Sequence, residues 1–200
     1  VKLVVGLGNP GSEYADTRHN VGFRVVERLA ERHAIALRAE RRLEGRVGEG
    51  TIRGVRAALL LPLTYMNRSG RAVAAALEER PLDEVGADLL VVYDDLDLPF
   101  GRLRIRPGGG AGGHRGLADV QAQLGRSDFP RLRFGIGRPA EGLDGVDHVL
   151  APFDPAEAEA LAPRLALAVE AVEAVLYEGV AAAMNRFNRD PETPPPSSAS

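Results

Sequence analysis

Apolar positions along the chain fall into two periods, and their order predicts the fold. Lys2 to Val5 is a short apolar run of strand length, followed by Gly6, Gly8 and Gly11, which let the backbone turn sharply. From Val21 the period becomes helical. Val25, Val26, Leu29 and Ala30 make one stripe, Asn20 is a candidate N-cap, and His33 ends the helix as a surface residue near its negative pole. Arg46–Ile52 and Val55–Leu61 predict a hairpin turning at Arg53-Gly54, and a helix capped by Ser69 or Asn67 runs on to Glu79. Asp88–Tyr93 is another buried strand. Arg102-Leu-Arg104-Ile-Arg106 alternates with period two, so its arginines share one face and Leu103 and Ile105 the other. The glycine-rich stretch 107–113 opens a helix over 116–124, and 131–137 is the last strand, again with arginines alternating with apolar residues. Two helices follow, Pro155–Tyr177, with an interruption expected near Pro163, and Glu178–Phe187.

Strands alternating with helices predict an α/β fold: a single-domain three-layer α/β/α sandwich, its twisted sheet made mixed by the hairpin and flanked by helices. Residues 1–189 form this domain, and the proline- and serine-rich stretch 190–200 reads as a disordered tail. Asn9, Asn67 and Asp94 each follow or end a strand. If those strands run parallel, all three lie along one edge of the sheet, where α/β proteins bind ligands.

Composition narrows the chemistry. The chain has 200 residues and no cysteine, which excludes disulfides, thiolate metal sites and a cysteine nucleophile. No apolar run approaches the ~18 residues of a membrane span, and no secretory signal is recognisable, so a cytoplasmic location is expected. The net charge of -3 argues weakly against a nucleic-acid partner, but its distribution does not. Residues 99–138 hold 8 arginines against Asp119 and Asp128, whereas 139–200 hold 3 basic side chains against 11 acidic ones. Such asymmetry predicts a local basic face that attracts an anionic partner.

Several motifs fail on inspection. Gly6-Leu-Gly8-Asn-Pro-Gly11 matches the dinucleotide fingerprint, but no helix opens behind its glycines to receive a pyrophosphate. Gly108–Arg115 resembles a phosphate loop but ends in His114-Arg115 where Lys and Ser or Thr are required. No G-x-S-x-G or H-E-x-x-H occurs, and Asp94, Asp95 and Asp97 lack a clear further metal ligand. Water activated by histidine remains. That chemistry needs a neutral imidazole, a carboxylate on its other nitrogen, and amides near the developing oxyanion. His19, Asp94, Asn9 and Asn67 supply these if their loops meet.

Gly6–Gly11 with Tyr14, Thr17-Arg18-His19-Asn20-Val-Gly22, Pro62–Gly70, Asp94–Pro99, Gly108–His114 and Arg131–Gly137 together resemble bacterial peptidyl-tRNA hydrolase, in order, from Val1 to about Phe187. The resemblance implies cleavage of the ester between a peptide and the 3′ ribose of tRNA, by a cytoplasmic monomer without metal or cofactor and with no membrane partner. It implies His19 as the base and Asp94 as its partner. Asn9 and Asn67 would position peptide and water, with Met66 lining the channel. Tyr14 and Arg115 join the substrate-binding positions, and Arg106 and Arg133 would hold the 5′-phosphate of tRNA. Arg102 and Arg104 are further phosphate candidates, with a solvated strand face as the other reading. One position departs from the family. Arg115 stands where an asparagine is usual, and a guanidinium donates hydrogen bonds but cannot accept them. His114 matches, with its role open. The competing functions are a non-catalytic RNA-binding module using the same arginines and a nucleotide-dependent oxidoreductase.

Overall fold

A computed structural model describes residues 1–189. The first apolar run forms β1 (Lys2–Gly6) at the centre of the sheet, where burial on both faces explains its unbroken hydrophobicity. A 3-10 turn at Arg18–Asn20 leads into α1 (Val21–Arg32). The chain continues through β2 (Arg38–Glu40), β3 (Gly45–Ile52), β4 (Val55–Pro62) and a 3-10 turn at Met66–Arg68 to α2 (Ser69–Glu79). Then come α3 (Val85–Asp88), β5 (Leu89–Asp95), β6 (Leu103–Arg106), α4 (Arg115–Leu124) and β7 (Arg131–Gly135). The last described elements are α5 (Gly145–Val149), α6 (Pro155–Glu178) and α7 (Val180–Phe187). The expected tail, 190–200, lies outside the described residues.

The seven strands are ordered β2-β3-β4-β1-β5-β7-β6. β4, β1, β5 and β7 are parallel neighbours, with Val4 opposite Leu59 and Leu90, while β2, β3 and β6 add antiparallel edges. The strict period of two divides the core. Val4, Leu59, Leu61, Val92, Ile105 and Phe134 face α1, α6 and α7. Leu3, Val5, Leu60, Val91 and Tyr93 face α2 and α4. This is the expected three-layer sandwich. The carboxyl ends of β1, β4 and β5 fall at one edge, which brings the Asn9, Asn67 and Asp94 segments together. α1 approaches the sheet so closely at Gly22 that an added Cβ would lie 2.7 Å from the Leu7 carbonyl oxygen, so glycine is required there.

Four local expectations are corrected. Asn20 flanks α1, but its side chain makes no cap bond and serves the Asn9 backbone instead. Neither Ser69 nor Asn67 caps α2; the Gly70 N–H is taken by Asp119 of α4, at 2.8 Å. Pro163 does not interrupt α6, a continuous 24-residue helix. Pro163 and Glu159, whose carbonyl it leaves free, are both exposed to water, while Leu161, Leu165, Val169, Val172 and Leu176 anchor the opposite stripe. His33 is half-buried beside Glu173 of α6, not a free surface residue.

Candidate active site

His19 is placed by its neighbours. Arg18, buried beside it, donates to the His148 carbonyl at 3.1 Å and pairs with Asp154 and Glu157 at 3.2 and 3.1 Å, fixing the 3-10 turn to the start of α6. On the other side, Asn20 holds the Asn9 loop. Its Oδ1 accepts from the Asn9 N–H at 2.8 Å, and its Nδ2 donates to the Asn9 carbonyl at 2.9 Å.

The His19 Nδ1 lies 2.9 Å from both oxygens of Asp94, which ends β5 with 3% of its surface exposed. His114 places Nε2 2.9 Å from the same carboxylate. Its tautomer follows from its other nitrogen. Nδ1 accepts the Leu117 N–H at 3.1 Å as the N-cap of α4, so the ring proton sits on Nε2 and is donated to Asp94. Asp94 thus receives an N–H from each imidazole. Burial pushes its pKa up, but the hydrogen bonds from His19 and His114, and the attraction of either ring when it is protonated, outweigh burial and hold it well below the usual carboxylate range. With Nδ1–H of His19 directed at Asp94, Nε2 keeps its lone pair for a water.

Asn9 is oriented by the same logic. Its Oδ1 accepts the Met66 N–H at 2.7 Å, which leaves the NH₂ as the donor available to the cleft. Met66 follows Tyr65, whose φ of 62° and ψ of 154° are strained for a residue with a side chain, at a cost of about 1–3 kcal/mol. That turn carries Met66 and Asn67 from the end of β4 to the cleft.

Two cavities meet this cluster. The smaller, about 290 Å³, is lined by Asn9, His19, Met66, Asn67 and Arg115, with Tyr65, Val146 and Leu150 as a more apolar wall. The larger, about 560 Å³, runs from Asp94 and His114 along the glycine loop to Arg106, Arg131 and Arg133. Arg104 pairs with Arg133, and Arg106 with Arg131, in the β6–β7 register, so these arginines share one face. Partial burial, then the charges of Arg106, Arg102 and Arg133, pull the Arg104 pKa below its ordinary value. Crowded cations of this kind attract anions.

A model of the family described as peptidyl-tRNA hydrolase matches residues 3–195. The chain belongs to this family. It is 56% identical over 188 residues to the peptidyl-tRNA hydrolase of Synechococcus sp. strain JA-3-3Ab, covering 94% of this chain and 83% of that protein. It is 53% identical over 186 residues to the enzyme of that name from Chloroflexus aggregans, covering 93% and 98%. The crystal structure of peptidyl-tRNA hydrolase from Acinetobacter baumannii superimposes with a TM-score of 0.87 at 40% identity, covering 94% of each chain.

In this family member the structure brings His19, Asn9, Met66, Asn67 and Arg115 around one cleft, sets Asp94 behind His19 on the adjoining cavity, and puts Arg106 and Arg133 farther along that cavity. Tyr14 is not brought in. It belongs to the turn before Thr17, where its carbonyl accepts the Thr17 hydroxyl at 2.8 Å, and it lines neither cavity. Sequence reasoning missed Arg18 and Asn20 as the clamps on either side of His19. It also gave Arg131 no role beyond its place in the alternating strand. Arg131 is 1% exposed and donates to the carbonyls of Gly109 and Ser127 at 2.9 and 2.7 Å.

His19 Nδ1, an Asp94 oxygen and His114 Nε2 lie within 4.8 Å of one another and are the donor set among the described residues that a metal could use. Both nitrogens carry the protons bonded to Asp94 in the arrangement above. A metal would have to displace two protons and dismantle that arrangement.

Proposed function

We propose that the chain hydrolyses the ester between a peptide and the 3′ ribose of tRNA, with His19 as the general base. The observation that carries this reading is the His19 Nδ1–Asp94 contact of 2.9 Å, which in the neutral ring selects the tautomer with its Nε2 lone pair at the cleft. In the reaction, Nε2 removes a proton from water while the oxygen bonds to the ester carbonyl carbon. Asp94 stabilises the imidazolium that forms. The NH₂ of Asn9 and the amide of Asn67 donate to the oxygen on which negative charge develops. The carbon–oxygen bond to the ribose then breaks, and the imidazolium proton passes to the ribose 3′ oxygen. The products are free tRNA and the peptide acid, which loses its remaining proton to solvent to become the carboxylate. His114 holds Asp94 in place.

The arginines support an orientation for tRNA. Arg106 and Arg133 flank the larger cavity and serve its phosphates, while the peptide occupies the smaller cavity beside Met66 and Asn67. Residues 1–189 act as the catalytic domain. Among the described residues no helix is long and apolar enough to cross a membrane, and we infer a cytoplasmic monomer that returns tRNA from abandoned translation without a metal cofactor.

One assay tests the reading: purified protein, N-acetyl-aminoacyl-tRNA, EDTA and no nucleotide. Release of free tRNA that falls at least about 10²-fold in His19→Ala is the expected result. Binding without release supports an RNA-binding module instead, and equal release by His19→Ala removes His19 from the chemistry.

A further inference from the structure

Arg115 is the exposed first residue of α4, and it reaches the smaller cavity beside His19, Asn9 and Asn67. Among the described residues no carboxylate lines that cavity. Of the other arginines at the site, Arg106 faces the larger cavity, and three are engaged. Arg18 pairs with Asp154 and Glu157, Arg131 with loop carbonyls, and Arg133 with Asp95 at 2.9 Å. Among the described residues no hydrogen-bond or ion-pair partner meets the Arg115 guanidinium. The result is an uncompensated positive charge on a cleft otherwise built of amides, one imidazole and apolar side chains.

We propose that Arg115 sets substrate specificity, favouring peptidyl esters that carry an acidic side chain within one or two residues of the scissile bond. The proposal rests on the hydrolase reading above. Two observations direct Arg115 toward the peptide and not toward tRNA phosphate. The arginines facing a polyanion, Arg106 and Arg133, line the other cavity, reached past Asp94 and His114. The cavity that Arg115 lines also includes Tyr65, Val146 and Leu150, which suits side chains and not a charged backbone. A planar guanidinium takes a carboxylate through two parallel hydrogen bonds. It repels a lysine or arginine side chain brought to the same place.

The test measures kcat/KM for tRNA release from esters on one and the same tRNA. N-acetylated Glu, Gln and Lys occupy the esterified position in one series and the next position in a second. The readout is the Glu-to-Gln ratio within each enzyme, so any effect of a substitution common to both substrates cancels. At low salt the wild-type ratio at one of the two positions is expected to be about 3- to 10-fold, as for a partly desolvated ion pair. Added salt shrinks it. In Arg115→Asn it falls to about one, Arg115→Lys retains part of it, and Arg115→Glu moves the preference to the Lys substrate. A wild-type ratio near one at both positions overturns the proposal, as does a ratio that survives Arg115→Asn. So does an equal loss for Glu, Gln and Lys in Arg115→Asn, which assigns Arg115 to the ester or the tRNA. Failure of the wild type to release tRNA from every ester is a different result, and it removes the hydrolase reading together with the preference.

Discussion

Replacing Asp94 with asparagine tests the proton arrangement directly, because the structure dictates how the new amide must turn. His114 cannot change its tautomer cheaply, since its Nδ1 is committed to the Leu117 N–H. Its Nε2–H therefore demands an acceptor, and the amide carbonyl takes the place of the Asp94 oxygen that His114 contacts at 2.9 Å. The NH₂ then occupies the other oxygen's place, 2.9 Å from His19 Nδ1. His19 Nδ1, 2.9 Å from both positions, then meets a carbonyl already taken by His114 and an NH₂; an N–H facing an N–H is repulsive, so the balance shifts to the tautomer protonated on Nε2, in which Nδ1 accepts from the NH₂. The base has then lost the lone pair it needs. The backbone and packing volume hardly change, so the defect is chemical. The expected fall in kcat is about 10²- to 10⁴-fold, the span of a general-base contribution, with a far smaller change in KM. The assay is tRNA release under saturating N-acetyl-aminoacyl-tRNA, alongside thermal unfolding to establish that the variant is folded. A folded Asp94→Asn protein within tenfold of wild type would refute the idea that this carboxylate fixes the tautomer.

Three other perturbations follow from the same contacts. Asn20→Ala leaves the N–H and carbonyl of Asn9 without partners in a buried place; it should cost about 2–4 kcal/mol in urea unfolding and reduce kcat/KM, and unchanged values would show that the clamp is dispensable. Arg131→Met removes the donors to the Gly109 and Ser127 carbonyls; amides of the glycine loop should exchange faster with deuterium and activity should drop, and unchanged exchange would argue that the loop holds itself. Asp94 also makes stability depend on pH: its folded pKa lies below the ordinary value of about 3.9, so its contribution is complete above that pH and disappears as pH falls toward the folded value. Unfolding free energies measured between about pH 6 and 2.5 should therefore decline more steeply in wild type than in Asp94→Asn, and parallel curves would contradict the assignment.

Period and turn chemistry sufficed for the long elements. The apolar run before Gly6, the hairpin around Arg53-Gly54 and the stripe in α1 each carry enough residues to fix a period. β2, α3 and α5 have three, four and five residues, too few for one. The errors within the site have a common cause: the deciding partner is distant in the chain. Asn20 precedes a helix and so reads as a cap, yet its side chain satisfies a backbone 11 residues earlier. Arg131 and Arg133 have the same local alternation. They differ because the glycine loop covers one with carbonyls, while Asp95 and open cavity meet the other. Pro163 is a helix breaker by local rule, and solvent on its side with packing on the other overrides that rule.

The polar groups at the cleft are specified less by their own identity than by which of their atoms is already used. Asn9 has a donor end and an acceptor end, and the Met66 N–H consumes the acceptor. His19 can carry its proton on either nitrogen, and Asp94 claims Nδ1–H. Asp94 could accept from a substrate, but His19 and His114 occupy its oxygens. His114 in turn is held by the first turn of α4. Each commitment removes one alternative, and among the groups so fixed an NH₂ donor on Asn9 and, in the neutral ring, a lone pair on His19 Nε2 are left facing the cleft. Ester hydrolysis asks for that combination, a donor for the oxygen that gains charge and an acceptor for the proton that water loses. The commitments come from the ends of β1, β4 and β5 and from the start of α4, so the parallel centre of the sheet and the packing of α4 set the chemistry. Substitutions that leave every proposed catalytic residue in place but loosen these backbone partners should therefore reduce the rate while sparing the affinity for tRNA that we propose for the arginines of β6 and β7.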